Sequence, residues 1–150
     1  MSLRAGRVEI VIHRLLELRG ERGRFGVEHG ARGVAAGRVA IALAIEPRLS
    51  QQHGFLHAGV VVAALDSACG YAALTLMPAD MEVLTAEFKV NLLAPAAGER
   101  FLVRGEVLKA GKTVVVCRGD AFALDRDSPR LIAAMQASMM TVRGRDDVSD

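Results

Sequence analysis

A chain of 150 residues, 51% of them hydrophobic, is long enough to bury a core and too apolar for wholesale disorder. A net charge of +2, basic residues without a lysine/arginine block and an aromatic content of 4% exclude a dedicated nucleic-acid surface. Cys69 and Cys117 sit in apolar segments without metal-ligand spacing, so free buried thiols in a reducing compartment and no metal site are expected. The longest apolar run, 58–77, is interrupted by Asp66 and rich in alanine and glycine. It reads as a core helix rather than a membrane span, and with no leader-like N-terminus the expectation is one cytoplasmic, soluble domain over 1–150.

Residues 4–19 place Val8, Val11, Ile12, Leu15 and Leu16 at helical spacing, with Gly20 as a stop, so 1–24 reads as an N-terminal helix and linker. A weak strand over 27–34, a turn at Ala36-Gly37 and a strand over 38–45 follow, then a loop from Pro47 to His57. The apolar helix runs from Ala58 toward Pro78. Its small residues Gly59, Ala63, Gly70 and Ala73 are expected to let it lie close to a sheet.

Four extended segments come next, over 83–94, 100–108, 113–124 and 131–142, with 144–150 as a frayed tail. In the first of them Leu84, Ala86, Phe88, Val90 and Leu92 alternate with Thr85, Glu87, Lys89 and Asn91, which predicts two opposite faces. The alanine- and methionine-rich 131–142 has helical propensity but is read as a strand, because turn chemistry flanks it and its neighbours form hairpins. The order predicts an α+β fold: a curved antiparallel sheet of about six strands wrapped around one long central helix.

Asp66 is the anomaly in this pattern. A helix that is apolar on nearly every face is expected to be buried, and a carboxylate inside it must be neutralised, hydrogen-bonded or put to use. His57 stands nine residues upstream, at the head of a glycine-punctuated loop.

The stretch Gln51-Gln-His-Gly-Phe-Leu-His57-Ala58-Gly59, then Asp66, then Leu84-Thr85-Ala86-Glu-Phe-Lys-Val-Asn-Leu-Leu-Ala-Pro95, then Val107-Leu-Lys-Ala-Gly-Lys112, resembles the hotdog-fold acyl-CoA thioesterases. Within them it is most similar to the phenylacetic-acid-pathway (PaaI) type, over roughly residues 25–142. The resemblance implies that Asp66 is the catalytic carboxylate, acting as general base or nucleophile. It implies that the backbone N–H of Ala58 polarises the thioester carbonyl, that His57 shapes the same loop, and that Gln51 helps hold nucleophile or substrate. Thr85 falls on a Ser/Thr that assists, in some members, from the second subunit's strand. Lys109 and Lys112 fall where members often place basic residues near the CoA phosphates. Ala58 replaces a glycine of the family motif, which leaves the backbone donor intact, and Gln51 is one methylene longer than the family's Asn.

Thioester hydrolysis needs an activator for water, a donor for the developing oxyanion and a site that excludes bulk solvent. Residues 58 and 59, at the first turn of the helix, supply aimed N–H groups backed by the helix dipole. Asp66 lies about 12 Å further along the same helix, too far to meet that donor on one thioester. A site shared across a homodimer, itself expected to pair into a dimer of dimers, resolves the distance. No cofactor is expected beyond the CoA moiety of the substrate, and no nucleic acid or membrane partner. A hotdog hydratase or dehydratase and a non-catalytic acyl-CoA-binding hotdog protein are the alternatives. The first uses a His–acid pair at another spacing, and the second has no use for Asp66.

Overall fold

The computed structural model describes residues 34–44, 47–124 and 128–143. The helix predicted over 4–19, nearly all of the strand predicted over 27–34 and the tail lie outside the described residues. The elements are β1 (Val34–Ala35), β2 (Arg38–Ala44), a 3-10 turn (Pro47–Leu49), α1 (Ala58–Leu74), β3 (Met81–Leu92), β4 (Arg100–Ala110), β5 (Val114–Leu124) and β6 (Pro129–Arg143). The six strands form one antiparallel sheet in the order β1-β2-β4-β5-β6-β3, with α1 against it. This is the hotdog arrangement that the sequence implies. Despite its alanine and methionine content, β6 is a strand because β5 and β3 pair with it on both sides.

α1 packs on the sheet through Val61, Ala64, Leu65, Ala68, Cys69, Ala72 and Ala73, one face rather than all round. Of the small residues expected to face the sheet, Ala73 does; Gly59 and Ala63 are exposed, and Gly70 is half-buried against Val83. The close approach comes from the strands instead. A Cβ on Gly105 of β4 would stand 2.3 Å from the Ala68 carbonyl oxygen, and one on Gly119 of β5 would stand 2.9 Å from Leu65 Cδ2. Glycine inside a strand often marks such an approach of another backbone. Because the obstacle at Gly105 is helix backbone, Gly105→Val must push α1 off the sheet. The expected cost is about 3 kcal/mol or more, seen as a melting temperature lower by roughly 10 °C.

Both ends of α1 are pinned. At its C-terminus Thr75 Oγ1 accepts from the Gly37 N–H (2.7 Å) and donates to the Ala72 carbonyl (2.7 Å), tying the β1–β2 turn to the last helical turn. Gly37 has φ +73°, the left-handed conformation that a tight hairpin turn demands. At its N-terminus the loop 50–56 closes on itself, with Gln51 N–H bonded to the Phe55 carbonyl (2.8 Å) and Gly54 N–H to the Gln51 carbonyl (2.9 Å).

Among the described residues β3 lies at one edge of the sheet, with a strand neighbour on one side only. Its register slips between Thr85 and Glu87, a β-bulge at Ala86. The strand therefore does not keep the two faces predicted for it. Thr85 stands opposite Met139, whose side chain is in the core, whereas Leu84 stands opposite the exposed Met140. Past the bulge, Phe88 and Val90 stand opposite the buried Ala137 and Met135. Thr85 thus shares the helix side of the sheet with Phe88, Val90 and Leu92, and Leu84 turns away. Leu84, Phe88 and Leu92 are all exposed in the single chain. No helix among the described residues is long and apolar enough to cross a membrane.

Candidate active site

The N-terminal turn of α1 is built around His57. Its backbone is extended (φ −62°, ψ 134°), and its Nδ1 accepts a hydrogen bond from the Gly59 N–H at 2.9 Å. Histidine here does the work that Ser or Asp usually does at a helix start, satisfying one orphan donor. A Cβ on Gly59 would meet the imidazole at 3.0 Å, so glycine leaves room for the ring to fold back. The His57 carbonyl accepts from Val60 N–H (2.9 Å) and Val61 N–H (3.3 Å). Leu56 before the cap and Val61 in the first turn are both buried in the core, the positions of a hydrophobic staple.

The two donors expected at residues 58 and 59 differ in their partners. Gly59 N–H is engaged by the cap, where it donates to His57 Nδ1. Ala58 N–H is the one first-turn donor that meets no acceptor among the described residues. The cap thus singles out one N–H at the positive end of the helix dipole, the kind of group that stabilises a developing oxyanion.

Asp66 lies two turns on, about 12 Å by helical rise, on the flank of α1 toward β3. It is half-buried, and the core among the described residues contains no buried polar or charged side chain. The fully buried carboxylate expected from the apolar run is therefore corrected: among the described residues α1 leaves one face open, and Asp66 sits at its border. Its Oδ1 accepts a hydrogen bond from Thr85 Oγ1 at 2.7 Å. The bulge at Ala86 turns Thr85 to the helix side and brings it to Asp66 of its own chain.

The remaining residues fall into two places. Gln51 is exposed in the loop before the cap, near Ala58 rather than Asp66, and its backbone closes that loop while its side chain makes no hydrogen bond to the described residues. Lys109 and Lys112 are exposed around the β4–β5 turn. Val107 N–H bonds the Gly37 carbonyl (2.8 Å), which puts that turn near the C-terminal end of α1. A helix of 17 residues separates it from Ala58, about 25 Å. In one chain the structure joins Asp66 with Thr85 and His57 with Ala58, and keeps those two groups and the lysines apart.

Cys69, three residues past Asp66, is an inert neighbour. Burial, reinforced by Cys117, pushes its thiol up to about 12, and burial lifts Cys117 to about 11. Neither supplies a thiolate near neutral pH. No group of three or more His, Cys, Asp or Glu side chains among the described residues could hold a metal ion.

Residues 53–129 match the family model of the Thioesterase superfamily, and the chain belongs to that superfamily. A thioesterase family protein from Silicibacter pomeroyi, known from its crystal structure, is 50% identical over 74% of this chain and 82% of that one, with a TM-score of 0.72. A protein from Bacillus halodurans crystallised with CoA shares the fold at 23% identity and a TM-score of 0.66, over 73% of this chain and 70% of that one. In sequence, a Saccharolobus solfataricus protein named "putative esterase" is 36% identical over 80 residues, 53% of this chain and 56% of that protein. The chain spans about half the length of the curated relatives it matches.

Proposed function

We propose that the protein is an acyl-CoA thioesterase of the phenylacetic-acid-pathway type, hydrolysing an aryl- or medium-chain acyl-CoA to free acid and CoA. The observation that carries this reading is the Thr85–Asp66 hydrogen bond on the open flank of α1. It engages Oδ1 and leaves Oδ2 available, either to take a proton from an attacking water or to attack the thioester carbon itself. Ala58 N–H is the donor for the carbonyl oxygen as it gains charge. The thiolate of CoA departs and takes up the proton that water gives; on the second route water then opens the acyl–Asp66 anhydride, freeing the acid and restoring the carboxylate.

The two halves belong to different chains in this reading. Among the described residues β3 is a long unpaired edge with apolar side chains, the kind of edge that proteins cover. Pairing two such edges about a two-fold axis sets the helices antiparallel and carries one chain's Ala58 toward its partner's Asp66. Lys109 and Lys112, near the C-terminal end of α1, then approach the donor end of the partner helix, where they can meet the CoA phosphates. CoA bound to the Bacillus halodurans neighbour supports the ligand class. The dimer is read as half of a dimer of dimers in the cytoplasm.

The test is CoA release, followed with a thiol reagent, over a panel from acetyl- to decanoyl-CoA with benzoyl- and phenylacetyl-CoA. Turnover is expected to be highest on aryl or medium-chain substrates. Absence of release from every member would defeat the enzymatic reading and leave an acyl-CoA-binding protein.

A further inference from the structure

The donor at Ala58 is only as well placed as the loop that leads into it, and that loop is anchored on the β3–β4 connection, which the start of β6 holds in turn. Leu56 N–H donates to the Ala96 carbonyl at 3.0 Å, and His57 N–H to the Leu49 carbonyl at 2.9 Å. The second anchor belongs to the loop's own approach. The first belongs to the β3–β4 connection, a segment without regular structure over 93–99.

Arg130 fixes that connection. Its Nη1 donates to the Pro95 carbonyl at 3.1 Å and its Nη2 to the Ala97 carbonyl at 3.4 Å, so one guanidinium spans the two carbonyls on either side of Ala96. Ala97 N–H also donates to the Pro95 carbonyl (2.9 Å), closing a three-residue turn with Ala96 at its centre. The Ala96 side chain is buried in the main core, which sets the turn's orientation. On the other side of the connection, Leu93 N–H bonds the Ile132 carbonyl at 2.8 Å, two residues from Arg130.

We infer that Arg130 is a positioning residue for hydrolysis: it holds the Pro95–Ala97 turn so that the Ala96 carbonyl fixes Leu56, and through Leu56 the cap and the Ala58 N–H. The inference rests on the thioesterase reading given above. A planar, two-pronged donor suits two carbonyls, whereas lysine satisfies one at a time. No other side chain bonded to this turn reaches it from β6 among the described residues. The acid half of the site, Asp66 with Thr85, does not depend on this chain of contacts.

The expected phenotype is a loss in kcat without a matching rise in KM. Misplacing a reacting group by about 1 Å can cost about a hundredfold, and Arg130→Met is expected to lower kcat by tenfold to roughly a hundredfold with KM within about twofold. Arg130→Lys is expected to recover part of the loss, and millimolar guanidinium chloride should partly restore Arg130→Met. Amide hydrogen exchange gives a readout independent of catalysis. Leu56 is expected to exchange roughly tenfold faster in Arg130→Met, with the amides of β4 and β5 unchanged.

Wild-type kcat in Arg130→Met, or faster exchange across the whole sheet instead of at residues 56–58 and 95–97, overturns the inference. Should that variant fail to fold, Arg130→Lys, which keeps the stem and the charge, carries the same comparison. If wild type releases no CoA, the thioesterase reading fails by itself, and the exchange comparison still decides whether Arg130 holds the loop.

Discussion

Asp66→Asn is expected to abolish turnover by about a thousandfold, the scale of a lost general base, while leaving the melting temperature close to wild type. The fold tolerates the change because Asp66 is half-buried on the border of the open face and asparagine keeps an oxygen to accept from Thr85. What is lost is the oxygen that carries charge toward substrate. Thr85→Val is the graded companion. It removes a hydrogen bond to an ionised group, worth about 1.5–3 kcal/mol, so a tenfold to hundredfold loss in kcat is expected. The pair is measured by CoA release alongside thermal melting. Full turnover in Asp66→Asn would remove Asp66 from the chemistry.

The sheet and central helix were legible because their signals are local. Pro78, Pro95, Ala110-Gly111 and Ser128-Pro129 punctuate segments whose lengths suit a strand or a helix, so the helix and the four strands after it could be placed along the chain, although their order in the sheet could not. Packing was less legible. Small residues in α1 suggested that the helix thins itself to reach the sheet, but Gly59 and Ala63 point away and Gly105 and Gly119 in the strands make the room. A glycine inside a strand was the available signal. Only the register shows which helix residue it faces.

The candidate residues stand out in the sequence, but the side of the sheet that Thr85 faces does not. Perfect alternation over 83–92 predicted Thr85 on the polar side with Glu87 and Lys89; one extra residue at Ala86 turned it to the helix side, beside Asp66. Period-two patterns carry no mark of a bulge when both faces of an edge strand are mixed. Arg130 gave no signal either, since a bond to main-chain carbonyls some 33 and 35 residues away leaves no motif. His57 and Gly59 were visible as a pair. Their chemistry, an imidazole cap that consumes one N–H and leaves the neighbouring one, appears only when each donor in the first turn is assigned an acceptor.

Ala58→Pro isolates that remaining donor. Position 58 is the first residue of α1, where proline is well tolerated because its missing N–H has no helical partner, and the extended backbone of His57 suits a following proline. The helix should form with unchanged stability, while the loss of an oxyanion donor is expected to lower kcat about a hundredfold or more. Combined with Asp66→Asn, the variant also tests which chain supplies which group. In a mixed dimer one site joins the intact N–H of the Asp66→Asn chain to the intact carboxylate of the Ala58→Pro chain, and the other site lacks both. Equal mixing makes half the dimers hybrid with half their sites working, so about a quarter of wild-type activity is expected from two nearly dead proteins. If donor and acid acted within one chain, no hybrid site would be whole and mixing after subunit exchange would restore nothing. Recovery near a quarter therefore places the donor and the acid of one site on two helices, as the rise of about 12 Å that parts them along a single helix requires.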